Sequence, residues 1–346
     1  MPRKSTSRPP RFESDLDYLE SEVKWLKARI QRIAARRGLD EALGKTLPQH
    51  PGMEIPSADK ARRRLVQAQR KESSLRREID ARLTSGRRAR KPTALDRICK
   101  LYGLDTNART VLLLACATGF SRQFEKYFGL LLEDNFGILT PEVAFAFLEL
   151  SFADRIRYRA MFRKDAPLVA NELLFVDAGT QRGPEDLLDT HLRIHARTFS
   201  YLVGDALPPD EMLEYSAFEE PRASLEQVVL DAKDKQRILS VVEHHDEYLR
   251  CRREWGFDEV VQYGRGIVLL FHGEPGTGKT MMAHAVADLL GTRILRVDIP
   301  TFLNHKTPDR FLPGLFREAR LQDALLFFDE CDTLFESRQT GNVLMN

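Results

Sequence analysis

Residues 267–291 read IVLLFHGEPGTGKTMMAHAVADLLG, and this stretch decides the fold of the C-terminal part of the chain. Its first five residues form a continuous apolar run of the kind found in a strand buried on both faces of a parallel sheet. Its last eleven have the apolar spacing of a helix closed by Gly291. Between them, G-x-x-x-x-G-K-T stands in the strand, loop, helix context that a phosphate-binding loop requires. Gly273, Gly276 and Gly278 let the backbone curl so that successive N–H groups face an anion, where side chains would obstruct the approach. Lys279 supplies a mobile positive charge for the β and γ phosphates, and Thr280 a hydroxyl for a metal ion. The helix that follows directs its positive N-terminus at the same point. The expected cradle is therefore Gly273, Glu274, Pro275, Gly276, Thr277, Gly278, Lys279, Thr280 and Met281, with ATP and Mg2+ as the ligands. The alternative is a Gly-rich turn that merely precedes a helix; Lys-Thr in register, with both flanking elements correct, counts against it.

Two further strands are expected, at residues 293–299 (RILRVDI) and 324–328 (ALLFF), and the second runs into Asp329 and Glu330. Carboxylates at the C-terminal end of a buried parallel strand face the ligand crevice of such a sheet. Asp329 is expected to hold magnesium through water and Glu330 to orient the attacking water, which makes Glu330 the candidate catalytic residue.

Working outward, the formal charge of +2 conceals an asymmetry. Residues 1–91 hold 24 Lys and Arg against 12 Asp and Glu, and the remainder holds 29 against 39. A basic head on an acidic body predicts separate units with separate surfaces. Within the head, Leu16, Leu19, Val23, Leu26, Ile30 and Ile33 alternate at spacings of three and four, the seam of a heptad helix with Gly38 as its stop. A second helix capped by Ser57 or Asp59 and running through Leu83 has the seam Ala61, Leu65, Ala68, Glu72, Leu75 and Ile79. Together they predict an antiparallel hairpin or pairing with other subunits. The exposed face of the second helix is crowded with arginines such as Arg62, Arg63, Arg64 and Arg70. It reads first as a solvated face and second as a surface for nucleic acid or an acidic protein.

Residues 92–207 read as several short helices followed by strands near 172–176 and 190–195 and a last helical turn at 198–203, a pattern compatible with a winged-helix module. His191 and His195 lie four apart without a third ligand and read as ordinary side chains. The acidic, Pro-bounded segment 208–222 reads as a linker. The expected organisation is a disordered basic tail (1–11), a coiled-coil hairpin (12–91), a winged-helix-like unit (92–207), the linker, and a nucleotide-binding domain (223–346). The fold class is thus multidomain, α and α/β: an N-terminal helical hairpin, a helical winged-helix-like domain and a partial P-loop NTPase domain. Four cysteines without a C-x-x-C pair fit neither zinc nor a disulfide framework, and no apolar run is long enough to span a bilayer. The expectation is a cytoplasmic protein without a membrane partner.

The residues GEPGTGKT and LLFFDECDTLFESR resemble the AAA+ ATPases, whose second signature has four apolar residues, Asp-Glu, then Asp-x-Leu-Phe and Arg. Here those are Asp329, Glu330, Asp332, Leu334, Phe335 and Arg338. More narrowly, residues 254–280 and 95–117 are similar to bacterial AAA ATPases with a winged-helix-like domain ahead of the core, including those encoded with contractile injection systems. The likeness covers residues 95–338 and leaves the first 90 outside it. It implies ATP hydrolysis that remodels or positions a protein partner, in a ring of subunits; the competing reading is a non-catalytic assembly module with a vestigial ATPase portion. Glu274 stands where the family has a small residue, and residues 302–316 lack the aromatic, apolar, Gly triplet of a threading loop. In that family the polar sensor strand, the arginine finger and the helical lid come later in sequence than Asn346, so the resemblance implies a domain interrupted after the acidic signature.

Overall fold

In the computed structural model, the described residues are 10–46, 56–132, 137–177, 187–205, 210–257, 266–304 and 308–331. They fall into two compact units, residues 1–207 and 208–346. Expectations placed on the tail before residue 10 and on Asp332, Leu334, Phe335 and Arg338 lie outside the described residues.

The first unit is built on the hairpin of α1 (Asp15–Ala42) and α2 (Ala58–Arg88). The predicted seam largely holds: Leu19, Leu26, Ile30 and Ile33 of α1 are buried with Ala61, Leu65 and Ile79 of α2, whereas Leu16 is exposed. Gly38 does not stop α1. Leu39 packs against Ala61 and Leu65 beyond it, and that burial outweighs the roughly 1 kcal/mol that glycine costs in a helix interior. The polar seam residue Glu72 accepts from Arg29 and Arg32 of α1 at 3.2 and 2.8 Å.

The hairpin is not a separate head, as the sequence had implied, but part of the same unit as the helices that follow. Those are α3 (Ala94–Tyr102), α4 (Thr106–Phe120), α5 (Gln123–Leu132), α6 (Pro141–Leu148), α7 (Phe152–Tyr158), a 3-10 turn (Arg159–Phe162) and α8 (Pro167–Ala170). The apolar run of α4 is buried all round, from Val111 to Ala117. Trp25 of α1 meets Phe147 of α6 edge-on at 5.9 Å, and the Arg29 Nε–H donates to the Phe147 carbonyl at 3.0 Å. Glu22 of α1 is fully buried and accepts from Tyr18, Arg76 and Arg109, which fastens both hairpin helices to α4. The strands β1 (Leu174–Asp177) and β2 (His191–Ile194) pair antiparallel, Leu174 opposite Ile194, and are followed by α9 (Ala196–Leu202). His195 caps α9, its Nδ1 accepting from the Arg197 N–H at 3.1 Å.

In the second unit the expected linker contains structure: a helical turn, α10 (Asp210–Leu213), and a strand, β3 (Ser216–Glu219). β3 runs antiparallel to β4 (Arg293–Asp298), which lies parallel to β5 (Ala324–Asp329), in the order β3, β4, β5. Proline and acidic residues had disguised a strand whose apolar residues, Ala217 and Phe218, pair with Arg296 and Leu295. One face of the sheet carries Leu295, Val297, Phe218, Leu326 and Phe328. They pack with Leu315 and Ala319 of a helix over Pro308–Leu321, and with Tyr215 and Phe302. The other face is covered by the helix that follows the phosphate loop.

Residues 267–271 depart from expectation. They form no strand among the described residues. Leu269 and Phe271 turn inward to pack with Val242, Met282, Val286 and Leu325, while Val268 and Leu270 are 92% and 67% exposed. The segment has the period-two alternation of a strand covered on one side, not double burial. β5 likewise is half-buried along its whole length, because among the described residues only β4 borders it.

Candidate functional site

After residues 267–271 the chain enters a loop whose glycines sit in the left-handed region: Gly273 at φ +150°, Gly276 at +81° and Gly278 at +88°. A Cβ at Gly273 would come 3.1 Å from Thr277 Oγ1. At Gly276 and Gly278 the surroundings are open and the backbone conformation itself is what selects glycine. The Glu274 carbonyl ties the curl, accepting from the Thr277 N–H at 3.3 Å and from its hydroxyl at 2.8 Å. Glu274 and Pro275 are exposed, as is the loop throughout from His272 to Thr277.

Gly278 is the N-cap of α11 (Lys279–Leu290), and no side chain caps it. The first intrahelical bond runs from the Met282 N–H to the Gly278 carbonyl. That leaves the first-turn amides of Lys279, Thr280 and Met281 directed out of the helix toward the loop's mouth. Lys279 closes that mouth, its ammonium donating to the carbonyls of Gly273 at 2.7 Å and Glu274 at 3.0 Å. Those bonds hold the cation where a phosphate's oxygens would receive it. A left-handed Gly cradle, open helix-start amides and a convergent ammonium fit a polyphosphate.

The helix is positioned from below by Met282 and Val286, which pack on Leu325 of β5. β5 delivers Asp329 and Glu330 at the C-terminal end of the parallel pair, with Asp298 opposite Asp329. Asp329 Oδ1 accepts from the Glu330 N–H at 3.1 Å. Glu330 is a non-glycine residue at φ +55°, a conformation that costs about 1 kcal/mol or more and persists where surrounding structure imposes it. Thr280 is exposed at the start of α11. The structure thus assembles two groups, the loop with Lys279 and the strand end with Asp329 and Glu330, held together through α11 on β5. Lys279 is satisfied by the loop and Asp329 by its neighbours on the sheet.

Three residues at the site were not singled out in the sequence. Arg296 of β4 places its Nη1 3.8 Å from Asp329 Oδ2 and donates from Nε to Glu219 at 2.7 Å. His284 of α11 is buried, accepts from the Arg222 N–H at 3.3 Å and lies 3.9 Å from Glu219. The Arg296 hydrogen bond holds the Glu219 carboxyl below the usual carboxylate range. Alternation in RILRVD already put Arg296 on the face of Asp298; the reading of residues 208–222 as a linker hid its partner. Among the described residues no three His, Cys, Asp or Glu side chains are grouped so as to hold a metal ion, at this site or elsewhere.

A family model described as winged helix domain, variant, matches residues 2–216. The chain belongs to this family. The match begins at residue 2, so the hairpin, which the resemblance had left out, lies within the family's extent, in keeping with its packing on α4 and α6. A second model, the ATPase family associated with various cellular activities (AAA), matches residues 269–346, and the chain carries an AAA domain. It is 32% identical over 176 residues to a proteasome-associated ATPase of Pseudarthrobacter chlorophenolicus, covering 40% of this chain and 28% of the relative. It is 30% identical over 166 residues to an AAA ATPase forming ring-shaped complexes from Micrococcus luteus (40% and 27%). It is also 31% identical over 169 residues to a 26S proteasome regulatory subunit 6B homolog of Dictyostelium discoideum (45% and 40%). The chain spans about a quarter to two-fifths of the length of these curated relatives. No solved structure matches it. Among the described residues no helix is long and apolar enough to cross a membrane.

Proposed function

We propose that the AAA domain binds ATP with Mg2+ in the cradle from Gly273 to Met281 and hydrolyses it, using the cycle to remodel or position a protein partner. The observation that carries this reading is the ammonium of Lys279 folded into the mouth of a left-handed Gly loop, at the uncapped start of α11. In this reading the loop amides and Lys279 bind the phosphates, and Glu330 orients the attacking water. Thr280 and Asp329 hold magnesium, which would supply charge neutralisation at the phosphoryl oxygens. Assembly into a ring, a cytoplasmic location and the likeness to ATPases of contractile injection systems belong to the same proposal. The non-catalytic alternative is disfavoured by the homology to AAA ATPases.

The test is nucleotide binding followed by fluorescence of an ATP analogue. Lys279→Ala removes a charge-assisted contact and should weaken binding at least about tenfold, equivalent to about 1.4 kcal/mol. Equal affinity in both proteins would remove the site assignment. Glu330→Gln should keep the binding while abolishing phosphate release.

A further inference from the structure

Among the described residues β3 is an edge strand of the second unit's sheet, and it ends on Glu219. Register places Glu219 opposite Ile294, two residues before Arg296 on β4. Asp298, two residues after Arg296, is opposite Asp329. Because side chains alternate, Glu219, Arg296 and Asp329 lie on one face of the sheet. That is the face covered by α11, which adds His284 beside Glu219. The result is a row of charges that runs from the edge strand to the carboxylate at the nucleotide site: Glu219, Arg296, Asp329.

One guanidinium therefore serves two carboxylates. Its Nε–H bonds Glu219 at 2.7 Å, and its Nη1 lies 3.8 Å from Asp329. The nearer pair is also the drier one: the Glu219 side chain is 13% exposed and that of Asp329 30%. Asp298, the other carboxylate of the row, is engaged in accepting from the Thr301 N–H at 2.8 Å. A divalent cation at Asp329 and a guanidinium beside it compete for the same negative charge. How closely Arg296 is held by Glu219 therefore sets how much of the Asp329 charge remains for the metal.

We propose that Glu219 and Arg296 form a charge relay through which the edge strand β3 tunes the affinity of the nucleotide site for its divalent cation, with Arg296 as a positioning residue for Asp329. This rests on the reading of Asp329 as the magnesium carboxylate. The relay gives the segment that leads into the AAA domain a direct route to the site. Any displacement of β3 that loosens the bond from Arg296 to Glu219 transfers the guanidinium toward Asp329 and weakens metal binding.

The test is a magnesium chloride titration of fluorescent ATP-analogue binding on the full chain, with affinity in EDTA as the reference. Arg296→Gln removes the competing cation and should lower the Mg2+ midpoint by about threefold to tenfold, the scale of one neighbouring charge at a partly exposed site. Glu219→Gln frees the guanidinium for Asp329 and should raise the midpoint by a similar factor. Arg296→Lys keeps the charge and loses the fork that spans both carboxylates, so its midpoint should fall between wild type and Arg296→Gln. Opposite signs for the first two variants support the relay, since general damage to the sheet would shift both the same way. Shifts of the same sign, or none, in variants that retain wild-type circular dichroism overturn it. A wild-type chain that binds no nucleotide overturns the ATP reading itself, and the relay with it.

Discussion

The fully buried carboxylate of Glu22 should be the costliest single group to remove from the first unit. It accepts from the Tyr18 hydroxyl at 2.7 Å, from Arg76 at 3.1 Å and from Arg109 at 3.2 Å. The Arg109 and Arg76 side chains are themselves only 16% and 26% exposed. Glu22→Gln preserves shape and removes the charge. Breaking a buried ion pair from one side costs about 3–5 kcal/mol, because the remaining charge stays buried without compensation. Arg76 retains Asp80 at 2.7 Å, so the loss falls mainly on Arg109, whose other bond is to the Tyr18 hydroxyl. That argues for the lower end, about 3 kcal/mol. For a unit of about 200 residues each kcal/mol moves Tm by about 2–4 °C, giving an expected fall of about 6–12 °C. Thermal unfolding by circular dichroism measures it, and tryptophan emission supplies a local reading. Trp25 is buried beneath Arg76, whose guanidinium lies 5.1 Å from the ring, whereas Trp255 is 72% exposed. A Tm within about 2 °C of wild type would refute the reasoning, since it would mean that Arg109 and Arg76 are compensated without Glu22.

Glu149 is held below its ordinary value of 4.5 by hydrogen bonds from Arg32. A depressed carboxyl stabilises the fold above its unfolded pKa and loses that contribution as pH falls through the folded one. The first unit should therefore lose stability as pH drops below about 4.5, and Glu149→Gln should flatten that slope; an unchanged slope in urea titrations at successive pH values would reject the assignment. In hydrogen exchange, the amides of residues 267–271 lack backbone partners among the described residues, and those of β4 are flanked on both sides. Exchange at 267–271 should be faster by about a thousandfold or more, whereas equal protection would mean that the segment is paired.

Much of this protein was legible in its sequence because the signals are local. G-x-x-x-x-G-K-T between an apolar run and a helical one fixes a loop conformation that only glycine adopts easily, and the structure has Gly276 and Gly278 there at positive φ. The helices around 94–120 were readable for the same reason: Thr93 and Asp105 cap their own segments. What the sequence left undecided were questions of neighbourhood. Whether residues 267–271 are doubly buried depends on which strands flank them, and a run of five apolar residues is the same string with or without them. Gly38 stops an isolated helix, but Leu39 had a groove between Ala61 and Leu65 to fill. The hairpin looked self-sufficient until Glu22 met Arg109, 87 residues away. Glu219 read as part of an acidic linker because its partner, Arg296, is 77 residues distant. Turn chemistry, capping and periodicity act over a few residues and are written in order along the chain. Strand edges and buried charges find their partners only when the chain has closed on itself, and only the tertiary structure decides them.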